Sequence, residues 1–120
     1  MNNPFYKGER LLKKQIIQKS HEFSYIIHKG RAVHGRYFRC YVLSSDQPKI
    51  GFAVSRRFGS AVERNYLKRR MREVYRKNNH CYGNWHMIIM PKSSTSQASF
   101  QDLEKDFYQI IQRIGELFDT

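Results

Sequence analysis

The hydrophobic period of this chain changes at Gly59, and no other feature constrains the fold as strongly. Residues 50–55 alternate between large apolar and small side chains, which predicts a strand with an open, small-residue face. Ser60 and Glu63 then have the spacing of a capping box, which predicts the start of a helix. Residues 67–75 place apolar side chains at three- and four-residue steps, so the strand should lead through a short turn into an amphipathic helix.

This helix is also the most basic part of the chain. Positions 56–77 hold nine Lys and Arg residues against two acids, a net charge of +7 out of +12 for all 120 residues. At about 100° per residue, Arg64 borders the apolar stripe, Arg70 lies on the opposite flank, and one polar face carries Asn65, Lys68, Arg69, Arg72 and Arg76. Such a face predicts a polyanionic partner, although a simply solvated basic helix has the same composition.

A helix and a strand are predicted before this strand, with room for a short strand between them. Residues 20–29 have the pattern of a short helix capped by Ser20 that buries Phe23, Ile26 and Ile27 and ends at Gly30. The following residues up to Gly35 leave room for an early strand. The next strand alternates and presents one aromatic and basic face, made of Tyr37, Arg39 and Tyr41.

Two further elements follow the basic helix. Asn78, Asn79 and Gly83 indicate a loop, and the apolar run 85–90 predicts a central strand. Ser99 then opens a last helix whose apolar stripe should pack on the sheet. Because positions 98–120 have a net charge of −3, the positive charge is segregated to the other helix. We therefore expect an α+β sandwich.

Composition argues against several classes of protein. Two cysteines and five histidines without helical i, i+4 pairing do not predict a metal site, and the acids at 102–106 fall on the last helix, where a hydrolytic centre is not expected. No run approaches the about 18 apolar residues of a membrane span, and residues 1–4 do not begin a secretory signal, so a cytoplasmic location is expected. A basic extension, residues 1–15, should precede one domain, residues 16–120.

Residues 51–76 resemble the signature of the bacterial ribonuclease P protein family. That family carries Gly-Phe/Leu-x-Val-Ser-Lys/Arg-Lys/Arg-x-Gly-x-Ala-Val-x-Arg-Asn-x-x-Lys-Arg-x-x-Arg, and this chain reads GFAVSRRFGSAVERNYLKRRMREVYR without a gap. The similarity extends through Glu22-Phe23, Lys29-Gly30, positions 37–43 and the apolar strand 85–90. It therefore covers nearly the whole chain except residues 1–15.

The resemblance implies both a fold and a role. The fold would be a single-domain, two-layer α+β sandwich, a mixed sheet packed by helices, with a left-handed βαβ crossover. The role would be that of the protein subunit of an endoribonuclease holoenzyme, one copy per catalytic ribonuclease P RNA. Mg²⁺ held by that RNA would carry the chemistry that removes the 5′ leader of precursor tRNA. The chain itself would hold no catalytic residue and no metal, and it would bind neither DNA nor a membrane.

The resemblance also implies two binding surfaces. The residues that would face the catalytic RNA are Ser55, Arg56, Arg57, Arg64, Asn65, Lys68, Arg69, Arg72 and Arg76. The residues that would line a cleft for the single-stranded leader are Phe23, Ile27, Tyr37, Arg39 and Tyr41. Ordinary burial under the first helix is the alternative for these aromatic residues.

The sequence departs from the family in three places. Ile27 stands where many members have a second cleft aromatic residue, Pro91 stands where a basic residue is common, and the segment before Ile17 is longer than usual. Three other functions stay open: an RNA chaperone or ribosome-associated protein, a DNA-binding regulator, and a self-sufficient metal-dependent nuclease. The regulator would need a second helix upstream of Gly59, and the nuclease would need clustered carboxylates.

Overall fold

The structure, a computed structural model, describes residues 16–78 and 84–118, and the basic extension and most of the loop after the basic helix lie outside that part. Three helices and four strands form near their predicted positions, although the strand predicted over residues 50–55 ends at Phe52. In chain order they are α1 (Ser20–Lys29), β1 (Arg31–His34), β2 (Phe38–Ser44), β3 (Lys49–Phe52), α2 (Ala61–Asn78), β4 (Trp85–Pro91) and α3 (Phe100–Phe118).

The strands form one mixed sheet in the order β1-β2-β4-β3. β1 pairs antiparallel with β2, β2 pairs antiparallel with β4, and β3 runs parallel to β4. β4 is therefore an interior strand, as its apolar run predicts. α2 connects the two parallel strands, so a βαβ crossover is present, and its left-handed sense stays a prediction from the family resemblance. The α+β class is confirmed.

One face of the sheet holds the main core. The β2 side chains Phe38, Cys40 and Val42 are all buried there, which confirms the alternation in the sequence. Phe38 makes an edge contact with Phe107 of α3, with the ring centroids 6.2 Å apart. Burial raises the pKa of the Cys40 thiol, so this side chain behaves as a small protonated hydrophobe. α2 and α3 share this layer.

The opposite face of the sheet is covered in part by α1. Ile26 of α1 packs with Ile17 and with Ile88 of β4, and all three are buried. The two-layer core of sheet, α2 and α3 therefore carries a partial third layer on its other side. No helix within the described ranges is long and apolar enough to cross a membrane.

Both predicted helix starts in the second half of the chain are confirmed by reciprocal hydrogen bonds. At α2, the Ser60 N–H donates to Glu63 Oε1 over 2.9 Å, and the Glu63 N–H donates to Ser60 Oγ over 3.2 Å. At α3, Ser99 and Asp102 make the same pair of bonds, both 3.1 Å long.

Three local predictions about the first helix and its neighbours are wrong. Ser20 lies inside α1, where Lys19 takes the cap position without a side-chain bond. Ile27 is 36% exposed rather than buried, because the turn of α1 places Ile26 against the sheet instead. The small-residue face of β3 is not open either: the Phe23 ring covers Gly51, where an added Cβ would lie 2.9 Å from that ring.

Candidate nucleic-acid interface

The basic face of α2 is introduced by a sharp turn. Residues Arg56–Phe58 form a single 3₁₀ turn, and Ser55, Arg56 and Arg57 are exposed on it. Gly59 ends the turn with φ at 118°, in the region that favours glycine, and an added Cβ would lie 2.6 Å from a Glu63 carboxylate oxygen. The glycine therefore allows the chain to turn directly into the capping box of α2.

The predicted basic face forms one continuous surface along α2, which we call the α2 basic stripe. Its exposed members are Asn65, Arg69 and Arg72, and its half-buried members are Arg64, Lys68 and Arg76. The Arg72 guanidinium lies 5.5 Å from the centroid of the Phe52 ring at the end of β3. The stripe therefore runs along the flank of α2 that lies over the β3 edge of the sheet.

Most of the charge on the stripe is not neutralised by carboxylates of the residues that the structure describes. Arg76 pairs with Glu73, whose pKa is lowered chiefly by the hydrogen bonds from that guanidinium. Hydrogen bonds from Ser60 likewise lower the pKa of the Glu63 carboxyl, so both acids of α2 are ionised at neutral pH. Across the described residues, no carboxylate forms an ion pair with Arg64, Lys68, Arg69 or Arg72.

Two arginines carry a buried donor without an acceptor in the described part of the chain. The Nε atoms of Arg64, on the stripe, and of Arg39, on β2, are both buried and unbonded. An unpaired buried donor costs about 1–3 kcal/mol. The two arginines lie on different ones of the two predicted binding surfaces.

A second surface lies beside α1 on the other face of the sheet. Tyr41 and Met90 project from the neighbouring central strands β2 and β4, next to Arg39. Phe23 of α1 packs, as they do, against the buried cluster beneath that helix. All four side chains are half-buried. We call this group the α1 surface. It combines aromatic rings with one guanidinium and leaves part of each accessible.

One residue predicted for this surface lies elsewhere. The structure puts Tyr37 before β2, where its ring packs against the main core on the α3 side and the Arg36 guanidinium lies 5.5 Å from its centroid. The prediction that it shares a face with Tyr41 is therefore wrong. Ile27 is on α1 but is not packed in the cluster beneath that helix. Pro91 ends β4 opposite Phe38, a strand-end position that proline tolerates.

The turn that carries Tyr37 depends on a residue the sequence did not single out. Asp106 of α3 is 5% exposed, and its carboxylate accepts the N–H groups of Arg36, Tyr37 and Phe38 at 2.7, 2.9 and 3.2 Å. The sequence pattern suggested only an acid on an amphipathic helix. Its position on the apolar side of that helix was the available signal.

The described residues offer no cluster of side chains that could bind a metal ion. Within residues 16–78 and 84–118, no group of three or more His, Cys, Asp and Glu side chains could hold a metal ion. The arrangement is instead suited to binding: one basic stripe over the β3 edge, and one aromatic surface beside α1.

These features define a class of small, basic α+β proteins in which one charged helix connects two parallel strands. The family model for ribonuclease P matches residues 11–115, and the chain belongs to the ribonuclease P protein family. It is 36% identical over 104 residues to the ribonuclease P protein component of Chlamydia felis. The aligned region covers 84% of this chain and 74% of that relative. The component from Syntrophomonas wolfei is 29% identical over 106 residues, covering 86% and 89%.

Solved structures of the same family have the same fold. The RNase P protein of Staphylococcus aureus superposes with a TM-score of 0.74 at 23% identity and covers 83% of this chain and 94% of its own. The RNase P protein of Thermotoga maritima gives 0.74 at 22% identity, covering 81% and 94%. At these identities the likeness concerns the fold, and it confirms the mixed four-stranded sheet with three helices.

Proposed function

We propose that this chain is the protein subunit of a cytoplasmic ribonuclease P ribonucleoprotein, one copy per catalytic RNA. In it the chain binds the catalytic RNA and the 5′ leader of precursor tRNA, and it promotes endonucleolytic removal of the leader. Family membership supports the assembly. The observation that carries the binding proposal is the α2 basic stripe, whose guanidinium and ammonium groups are mostly without a carboxylate partner in the described residues.

The catalytic RNA binds the stripe and the turn before it. Each phosphate neutralised by Lys or Arg releases condensed counterions, so this contact is strong at low salt and does not depend on base sequence. The exposed groups of Arg56, Arg57, Arg69 and Arg72 make the first contacts. Arg64, half-buried on the stripe, adds the accessible part of its guanidinium to the phosphate contact.

The leader binds the α1 surface. Bases of a single strand stack on Phe23 and Tyr41, which contributes about 1–3 kcal/mol per base and tolerates any sequence because every base has a π face. The half-buried Arg39 side chain next to Tyr41 meets a leader phosphate with the accessible part of its guanidinium. Ile27 adds an exposed apolar contact, and Tyr37 is left out because it lies on the α3 side.

In this proposal the chain assists cleavage by holding the two RNAs in place and by its positive charge. Mg²⁺ held by the RNA supplies the hydrolytic chemistry, and the protein keeps leader and catalytic RNA together. Its positive charge reduces the repulsion between their phosphates, so less Mg²⁺ is needed to organise the complex. DNA and membranes are not partners in this proposal.

The first test is cleavage of a precursor tRNA at low Mg²⁺ by the protein alone, by a bacterial ribonuclease P RNA alone, and by both. Cleavage at the mature 5′ end that needs both components supports the proposal. A lack of stimulation would leave the RNA-chaperone alternative, and cleavage by protein alone would contradict the assignment of chemistry to the RNA.

Two variants separate the two surfaces. Arg69→Ala should weaken assembly with the catalytic RNA, whereas Tyr41→Ala should spare assembly and weaken binding of precursor relative to mature tRNA. Tyr108→Ala, an exposed tyrosine on α3, is the matched control. Equal losses for both tRNAs in Tyr41→Ala would contradict the leader assignment.

A further inference from the structure

A third surface lies on the flank of α2 that carries Arg70. A groove of about 500 Å³ runs between the first turns of α2 and the 3₁₀ turn Ser93–Gln97. Its apolar wall includes Phe58, Val62 and Tyr66. Val62 is 77% exposed and Tyr66 is 58% exposed, which is unusual for large apolar side chains that lie one helical turn apart.

Each aromatic ring in this groove has an arginine beside it. The Arg57 guanidinium lies 5.2 Å from the centroid of Phe58, and the Arg70 guanidinium lies 5.9 Å from the centroid of Tyr66. Arg70 is also held in place by donating to the Ala98 carbonyl over 3.3 Å. Neither arginine has an ion-pair partner among the described residues.

Tyr66 also lines a second, basic hollow. This hollow has a volume of about 380 Å³ and is lined by Tyr66, Phe100, Arg69, Arg70, Arg72, Arg76 and Glu73. Glu73 is the one acid among the described residues that line it, and it forms an ion pair with Arg76. The acid of the apolar groove, Glu63, accepts the Ser60 N–H at the helix cap. The tyrosine therefore separates an apolar groove from a hollow with excess positive charge.

We propose that this pair of cavities binds an unpaired nucleotide of RNA. The base stacks on Tyr66 inside the groove, and an adjoining phosphate lies in the basic hollow beside Arg69 and Arg70. Stacking on aromatic and guanidinium planes is how proteins hold unstacked RNA bases. The charge around the rings favours this occupant over an apolar peptide. The site is on the opposite side of the sheet from the α1 surface. Because its hollow shares Arg69, Arg72 and Arg76 with the α2 basic stripe, it rests on the proposed RNA contact of that stripe and adds a place for a base.

The test is site-resolved because the α1 surface is itself proposed to bind single strands. The probe is a single-stranded RNA hexanucleotide carrying 5-iodouridine, photo-crosslinked to the full chain in the Tyr41→Ala background. We expect a crosslinked peptide that contains Tyr66 or Phe58. Crosslinks confined to other elements would overturn the proposal, whether or not the chain assists cleavage.

Affinity then identifies the interaction as stacking. All proteins compared carry Tyr41→Ala, so that binding at the α1 surface is weakened, and the Tyr41→Ala chain is the reference. Adding Tyr66→Ala should weaken hexanucleotide binding about 5- to 100-fold with the slope of log affinity against log salt unchanged, since stacking releases no counterions. Adding Tyr66→Phe should retain the affinity, and adding Tyr108→Ala should leave binding like that of the reference. An abasic hexanucleotide should bind the Tyr66→Ala protein and the reference equally. Equal binding of the normal hexanucleotide by these two proteins, or an equal loss with the abasic one, would refute the proposal.

Discussion

At the scale of single residues, Asp106 is the buried side chain that holds the turn before β2. Its buried carboxylate accepts hydrogen bonds from two N–H groups of the turn before β2 and from that of Phe38, the first residue of β2. These bonds connect α3 to the sheet. A carboxylate that accepts several backbone N–H groups is a strong hydrogen-bond centre, and removing it leaves those donors unpaired inside the protein.

Asp106→Ala should therefore lower the free energy of unfolding by about 3 kcal/mol, because three partly or fully buried N–H groups lose their acceptor. Urea denaturation followed by circular dichroism measures this. Asp106→Asn keeps one acceptor oxygen, so its free energy of unfolding should lie between those of Asp106→Ala and the unmodified chain. Lys105→Ala, an exposed neighbour, serves as the control. A loss as small as that of the control would show that the carboxylate contributes little.

The stabilisation that the Glu63 capping contact gives should depend on pH. The folded pKa of the Glu63 carboxyl lies below the ordinary 4.5 because Ser60 donates to the carboxylate. The ionised form therefore stabilises the protein above pH 4.5, and this contribution disappears as the pH falls through the lowered pKa. Glu63→Ala should thus be less stable than the unmodified chain at pH 7, with a smaller difference at pH 3.

The measurement for Glu63 is the urea midpoint of both proteins at the two pH values. Gln112→Ala, an exposed and uncharged position on α3, controls for general effects of acid. A difference that stays constant with pH would mean that the charge of the carboxylate is not what stabilises the cap.

At the scale of elements, α2 carries different chemistry on each of its flanks. Its apolar flank packs Met71 and Val74 into the core, a second flank carries the basic stripe, and a third exposes Val62 and Tyr66. The Ser60–Glu63 cap and Gly59 set where the helix begins. Because side-chain direction follows position on a helix, this starting point determines which residues reach each flank.

The contact between α1 and β3 can be tested at Gly51. Because an added Cβ would lie 2.9 Å from the Phe23 ring, Gly51→Ala should displace that ring and destabilise the protein by about 1–3 kcal/mol. Phe23→Leu removes the ring, so the double variant should lose less than the sum of the single variants. Urea denaturation of the four proteins measures this coupling, and additive losses would contradict the packing described.

At the scale of the whole molecule, charge and shape divide the protein into distinct surfaces. The net charge of +7 at positions 56–77 faces the β3 edge and the outside of α2, whereas positions 98–120 have a net charge of −3. The α1 surface lies on the opposite face of the sheet, and β4 contributes side chains to both faces. The sheet thus separates the α1 surface from the two RNA contacts proposed on α2.

This segregation predicts how salt acts on the assembly. Affinity for the catalytic RNA should fall steeply between roughly 50 and 200 mM salt, and Arg72→Ala should reduce the slope of log affinity against log salt by about 1. Filter binding of labelled RNA over that range measures both quantities. Lys105→Ala on α3 should leave the slope unchanged. An unchanged slope in Arg72→Ala would remove that residue from the phosphate contacts.

Local periods in the sequence predicted most elements and the α2 basic stripe. The alternation of β2, the capping boxes of α2 and α3, and the basic stripe all depend on residues a few positions apart, whose relative directions follow from helix and strand geometry. The stripe could therefore be derived residue by residue. The roles of these side chains toward RNA still rest on the family resemblance and on the experiments above.

Tertiary structure decided what depends on residues far apart in the chain. Tyr37 faces the α3 side because Asp106, 69 positions later, accepts its N–H. Phe23 fills the small-residue face of β3, and Tyr66 separates an apolar groove from a basic hollow formed with Phe100. A period specifies which side chains share a face, whereas only the packing of remote elements specifies what that face meets. The sequence by itself therefore determined the elements and the charged helix, and the fold determined which surfaces stay open to a partner.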